Sequence, residues 1–99
     1  MNQERWDMLT INEYLKFDRI PENERLSAWR DVCAFLYLEK KFGPPTGIGD
    51  MVSCAMHDKY YLDFTEELVR QLTDADAVYL ARCGCIYDTE CEDGLAFLT

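Results

Sequence analysis

"PENERLSAWRDVCAFLYLEKKFG", residues 21 to 43, carries the longest apolar repeat at helical spacing, and its reading sets the expected fold. Pro21 suits a first helical position, Glu22 and Glu24 complement the positive end of a helix dipole, and Lys40 and Lys41 complement the negative end. Leu26, Trp29, Cys33 and Leu36 recur at the helical period, with Val32 and Phe35 widening the arc. Ser27, Arg30, Asp31 and Lys41 form a narrower polar side. Gly43 ends the repeat, and Pro44 and Pro45 forbid its continuation. A helix over 21–42 with so wide an apolar arc is expected at the centre of the core, with Trp29 turned inward.

Upstream, Thr10 and Glu13 have capping-box spacing, and Leu9 and Tyr14 are placed for a hydrophobic staple. These residues predict a helix over 11–18, with Trp6 on a looser turn before it. Downstream, "GPPTGIGD" (43–50) lacks the glycine pattern and following Lys of a phosphate loop and reads as a connector. Residues 50 to 61 are expected to be helical, with Met51, Cys54 and Ala55 inward. Asp63 with Glu66, and Thr73 with Asp76, make two further capping boxes, before "FTEELVRQL" and "DADAVYLARCG". Gly84 stops the second of these helices. "CIYD" and "LAFL" around Asp93-Gly94 read as a short hairpin. The expected fold is therefore mainly α: a compact single-domain bundle of about four to five short helices with a small C-terminal β-hairpin.

The chain has 99 residues, 48% of them hydrophobic, which suits one core and argues against disorder. "MNQERWDMLT" lacks the pattern of a secretory leader, and no apolar run approaches the ~18 residues of a membrane span. With five cysteines, an odd number, the chain is expected to be reduced and cytoplasmic.

The formal net charge is −9. Such a chain repels phosphates, so direct nucleic-acid binding is excluded as an expectation, and basic surfaces are its natural complement. The charge is uneven. Residues 1–49 hold eight acids and seven basic residues, a balance of −1, whereas residues 50–99 hold eleven and three, a balance of −8. Asp74 and Asp76 stand at a helix start, where acids stabilise the helix dipole. Asp88, Glu90, Glu92 and Asp93 lie beyond the last expected helix, where capping offers no reason for them. These six acids are the expected partner-binding residues.

"CGCIYDTEC" (83–91) packs Cys83, Cys85 and Cys91 into nine positions. Structural zinc sites usually space paired cysteines by two residues, whereas Cys83 and Cys85 are separated by one. Buried thiols packing as small hydrophobes are the first reading, and no metal or cofactor is expected. The alternative is a zinc-stabilised or regulatory adaptor held by Cys54, His57, Cys83 and Cys85. His57 beside Asp58 is no dyad on a helix, because adjacent residues point in different directions, and no catalytic signature is present.

In size, acidity and lack of a catalytic signature, the chain resembles the compact acidic inhibitors that phages and mobile elements direct against host defence systems, some of which mimic DNA. That resemblance rests on no motif. It implies a non-enzymatic protein of the host cytoplasm that binds and inhibits a basic, nucleic-acid-handling protein or nucleoprotein complex such as a CRISPR effector. A homodimer that covers Trp6, Phe17 and Phe97 is a third reading.

Overall fold

The structure, a computed structural model, describes residues 3–43, 50–56, 58–64, 66–88 and 94–98. Among the described residues four α-helices, α1 (Gln3–Glu13), α2 (Arg30–Phe42), α3 (Glu66–Arg70) and α4 (Asp74–Arg82), accompany one four-stranded antiparallel sheet. Its strands are β1 (Val52–Met56), β2 (Lys59–Leu62), β3 (Cys85–Asp88) and β4 (Gly94–Leu98), in the order β1-β2-β4-β3. Helices hold most of the ordered elements, as expected. The sheet is larger than the expected hairpin, and the fold is a mixed helix-plus-sheet rather than a bundle.

The additional strands come from residues 50 to 61, where a helix was expected. β1 and β2 pair through Met56↔Lys59 and Ala55↔Tyr60, and Asp58 adopts a left-handed φ of 62° between them. Asp tolerates that conformation, and the Tyr60–Tyr61 pair favours a pleated surface, with Tyr60 outward and Tyr61 buried. The C-terminal hairpin is present as read, β3 pairing β4 from Cys85↔Phe97 to Asp88↔Gly94. β2 joins the two hairpins through Tyr60↔Phe97 and Tyr61↔Ala96.

The N-terminal helix also departs from expectation. Thr10 lies inside α1 rather than at its start, and its hydroxyl donates to the Trp6 carbonyl at 2.9 Å. Trp6 is one of the most buried residues, 1% exposed. The 21–42 helix is split. Residues Glu22–Glu24 form a 3-10 turn, and α2 begins only at Arg30. Tertiary contacts win over local propensity here. The Tyr79 hydroxyl donates to the Glu24 carbonyl at 2.8 Å, taking an acceptor a continuous helix would have used. Arg25 donates to the Ile20 and Asp18 carbonyls and lies over the Phe17 ring, which holds the chain extended. α2 buries Cys33, Ala34 and Leu38, while Trp29 stands outward, 73% exposed.

Thr73 and Asp76 form the predicted capping box at the start of α4. Gly84 follows the helix at φ 95°, and a Cβ there would meet Leu15 Cδ2 at 2.9 Å, so both conformation and packing require glycine. The Glu66 side chain of the other predicted box lies outside the described residues. The core fills the space between α1, α2, α4 and one sheet face, with Trp6 against Tyr87 and Phe35 edge-on to Phe97 at 5.6 Å.

Candidate functional site

The predicted acids do not form one surface. Asp76 is buried and serves the fold. Its carboxylate accepts from the Thr73 backbone at 2.8 Å and the Tyr37 hydroxyl at 2.5 Å, and pairs with Lys41 at 3.1 Å. Asp88, expected in solvent, is also buried. It pairs with Lys59 at 2.5 Å and accepts from the Tyr61 hydroxyl at 3.3 Å. Burying a carboxylate is tolerable only with such partners, so neither acid is free to meet another protein. Asp74 is exposed but paired with Arg5 of α1, which holds its carboxyl below the usual range. Glu90, Glu92 and Asp93 lie outside the described residues.

Asp76 yields a pH prediction. Burial pushes its carboxyl up, but the bonds from the Thr73 backbone, Tyr37 and Lys41 outweigh burial and leave it below the ordinary value. A depressed folded-state pKa gives stability that is present above the unfolded value of ~3.9 and is lost as pH falls through the folded one. Asp76→Asn is expected to cost about 2 kcal/mol near neutrality, from the lost cap and charge-assisted bonds. Urea titrations should show that gap shrinking below pH ~4. A gap that widens in acid would contradict the assignment.

Cys33, Cys83 and Cys85 pack in the core. Cys33 and Cys83 belong to the same buried cluster, and Cys33 Sγ is 3.0 Å from the Tyr79 hydroxyl oxygen. Burial pushes the Cys83 thiol up, the Cys33 sulfur adds to this, and burial alone does the same for Cys85. Protonated thiols are poor nucleophiles and poor metal ligands. Among the described residues no three His, Cys, Asp or Glu side chains are grouped to hold a metal ion. His57, Cys91 and the Cys54 side chain lie outside those residues.

A different surface is exposed, and it includes Trp29, which was expected in the core. Leu15, Trp29, Tyr60 and Leu98 are all well exposed and line a single groove of about 470 Å³, floored by Phe35, Cys83, Gly84 and Phe97. Two of its walls are placed at a cost to the fold. Trp29 occupies the N-cap of α2, a position that favours Ser, Thr, Asp or Asn, and makes no side-chain cap bond. Asp31 partly compensates, accepting from the Val32 N–H at 2.8 Å. Leu15 has φ 60°, a strained conformation for a residue with a Cβ. Its N–H donates to the Ala81 carbonyl at 3.0 Å, which fixes it against Gly84.

The groove contains an uncommitted cation. Arg5, Arg19 and Arg82 are ion-paired, Arg25 is bonded to backbone carbonyls, and Arg70 is also engaged. Arg30 lines the groove without a hydrogen bond or ion pair to the described residues. The Tyr14 hydroxyl beside it is likewise unbonded among them. The sequence signal was available: Trp29 stands two residues after Ser27, whose hydroxyl accepts the Trp29 N–H at 3.1 Å and helps keep the chain out of the helix.

No family model matches the chain, and no curated protein or solved structure matches it. Among the described residues no helix is long and apolar enough to cross a membrane.

Proposed function

We propose that the protein is a non-enzymatic binding module that docks through the Trp29 groove onto a basic, nucleic-acid-handling protein and inhibits it. The observation that carries this reading is an exposed cluster of Trp29, Tyr60, Leu15 and Leu98 around one concavity. Trp, Tyr and Arg dominate the energetics of protein interfaces, and all three types meet here. A stable fold gains nothing from a Trp at an N-cap or a strained, half-exposed Leu, so a partner that buries them supplies the missing reason.

The charge supports the choice of partner. Arg5, Arg19, Arg82, Lys41 and Lys59 are tied to acids of the same chain, while Asp18, Glu22, Glu24, Glu39, Asp50, Asp63 and Glu67 stand exposed. The net charge of −9 would steer the molecule toward basic surfaces and away from nucleic acid. The acidic field is thus assigned to encounter, and the apolar groove to affinity.

Affinity capture with the tethered protein tests this, with a Trp29→Ala variant alongside, at about 50 mM and about 500 mM salt. Basic nucleic-acid-binding proteins should be retained by the wild type, reduced on the variant and reduced by salt. Retention that ignores Trp29→Ala removes the groove from the reading. Retention of acidic proteins only removes the charge argument.

A further inference from the structure

We infer that Arg30 is the anchor of the groove, and that the partner inserts a carboxylate flanked by apolar side chains, an Asp or Glu within an apolar segment. The inference rests on the docking reading above and specifies what occupies the groove.

A guanidinium carries its donors in a fixed fork that matches a carboxylate bidentately. In a chain with a large acid excess, such a fork would be expected to find an acid of its own, and the other arginines have partners. Arg30 has none among the described residues, although Asp31 is its neighbour. Asp31 turns to the Val32 N–H instead, capping α2. Adjacent helical residues point in different directions, which keeps that carboxylate away from the fork.

The surroundings fit an anion held in an apolar setting. Arg30 acts electrostatically on both the Tyr14 hydroxyl and the Cys83 thiol, so its charge is felt along the groove floor. The Tyr14 hydroxyl can provide a second donor to the same anion. Trp29, Leu15 and Leu98 offer apolar walls to the residues on either side of it. Partial desolvation strengthens an Arg–carboxylate pair relative to one in open water. The overall negative charge does not oppose this contact strongly. Exposed charges are screened over ~10 Å in 0.1 M salt, whereas the fork meets its ion at hydrogen-bond distance. A basic partner surface can therefore be attracted from afar and still seat one of its carboxylates in the groove.

The test uses two isosteric peptides, acetyl-Leu-Phe-Asp-Leu-amide and the same peptide with Asn for Asp. They are titrated into the ¹⁵N-labelled protein while the Trp29 indole and Arg30 side-chain resonances are followed. The aspartyl peptide should bind roughly tenfold more tightly than the asparaginyl one, the increment expected of a charge-assisted bond. The difference should vanish in Arg30→Gln and be only partly retained in Arg30→Lys, which keeps the charge but loses the fork. Equal affinity of the two peptides overturns the anchor and leaves Trp29-dependent docking standing, since that is measured separately by capture. Failure of the aspartyl peptide to move those resonances also overturns it. Sedimentation of the free protein supplies the remaining arm. Self-association abolished by Arg30→Gln or Asp31→Asn would seat a second copy on the groove and overturn the proposal.

Discussion

Trp6→Ala is expected to destabilise the protein by about 3 to 5 kcal/mol, and Trp29→Ala by no more than about 0.5 kcal/mol. The two tryptophans are the clearest contrast in the molecule. Trp6 is 1% exposed between α1, α4 and β3, tilted against Tyr87 at 5.9 Å between ring centroids. Truncation there removes the contact with the Tyr87 ring and leaves a cavity in the core cluster, which the surrounding elements can only partly close. Trp29 has mostly water to lose. The Trp6 indole N–H finds no hydrogen-bond partner among the described residues, so Trp6→Phe should cost much less than Trp6→Ala: it keeps most of the ring and removes a buried donor left unpaired there. Urea unfolding of the three variants decides the point. Comparable losses from Trp6→Ala and Trp29→Ala would show that the exposed and buried faces have been assigned wrongly.

The sequence supports the opposite ranking, and the reason is specific. Trp29 fits the helical repeat of Leu26, Cys33 and Leu36, and periodicity alone places it inward. What breaks the repeat is remote: the Tyr79 hydroxyl and the anchoring of Arg25 at Ile20 and Asp18 fix residues 24 to 29 in a non-helical path. Within 21–29 only Ser27, whose hydroxyl accepts the Trp29 N–H, gives a local signal, and nothing there announces the remote Tyr79 hydroxyl. Where the determinant is local, the reading succeeds. The Thr73–Asp76 box, the Gly84 stop, the Gly43 terminus of α2 and the pairing of "CIYD" with "LAFL" are all present. The Thr10–Glu13 pair shows the limit of such motifs, because an interior Thr can return its hydroxyl to the preceding turn. Residues 52 to 62 were misread because short apolar runs satisfy both periods, and the Tyr pair should have weighed toward strand. The groove was legible only as its components. Leu15, Trp29, Tyr60 and Leu98 come from four separate segments, and only the sheet, unexpected in its β1–β2 half, brings Tyr60 beside them.

Lys59→Met should be the most damaging change to a charged residue, costing about 3 to 5 kcal/mol. Lys59 and Asp88 sit on strands flanking β4, on the face away from Phe97, and their pair crosses over the small side of that strand. Ala96 lies there, fully buried, and Gly94 stands opposite Asp88, so no bulk separates the two ions. Their side chains are only 14% and 7% exposed. Two charges so placed are worth little compared with an apolar pair of the same volume, yet removing either one strips the other, still buried, of its opposite charge at 2.5 Å. Asp88→Asn should therefore also be costly, about 3 kcal/mol, and the double variant Lys59→Met with Asp88→Asn should lose less than the sum of the two. A coupling of about 2 kcal/mol or more in that cycle would mark the pair as buried. Because screening reaches such a pair weakly, the coupling should change little between about 0.1 M and about 1 M salt. Single losses below about 1 kcal/mol, with coupling that fades in salt, would return Asp88 to the surface as an ordinary solvated acid. That outcome matters for function as well as for folding. An Asp88 variant that binds a partner poorly says nothing about an acidic interface unless its fold is first shown to be intact, and the geometry predicts that it will not be.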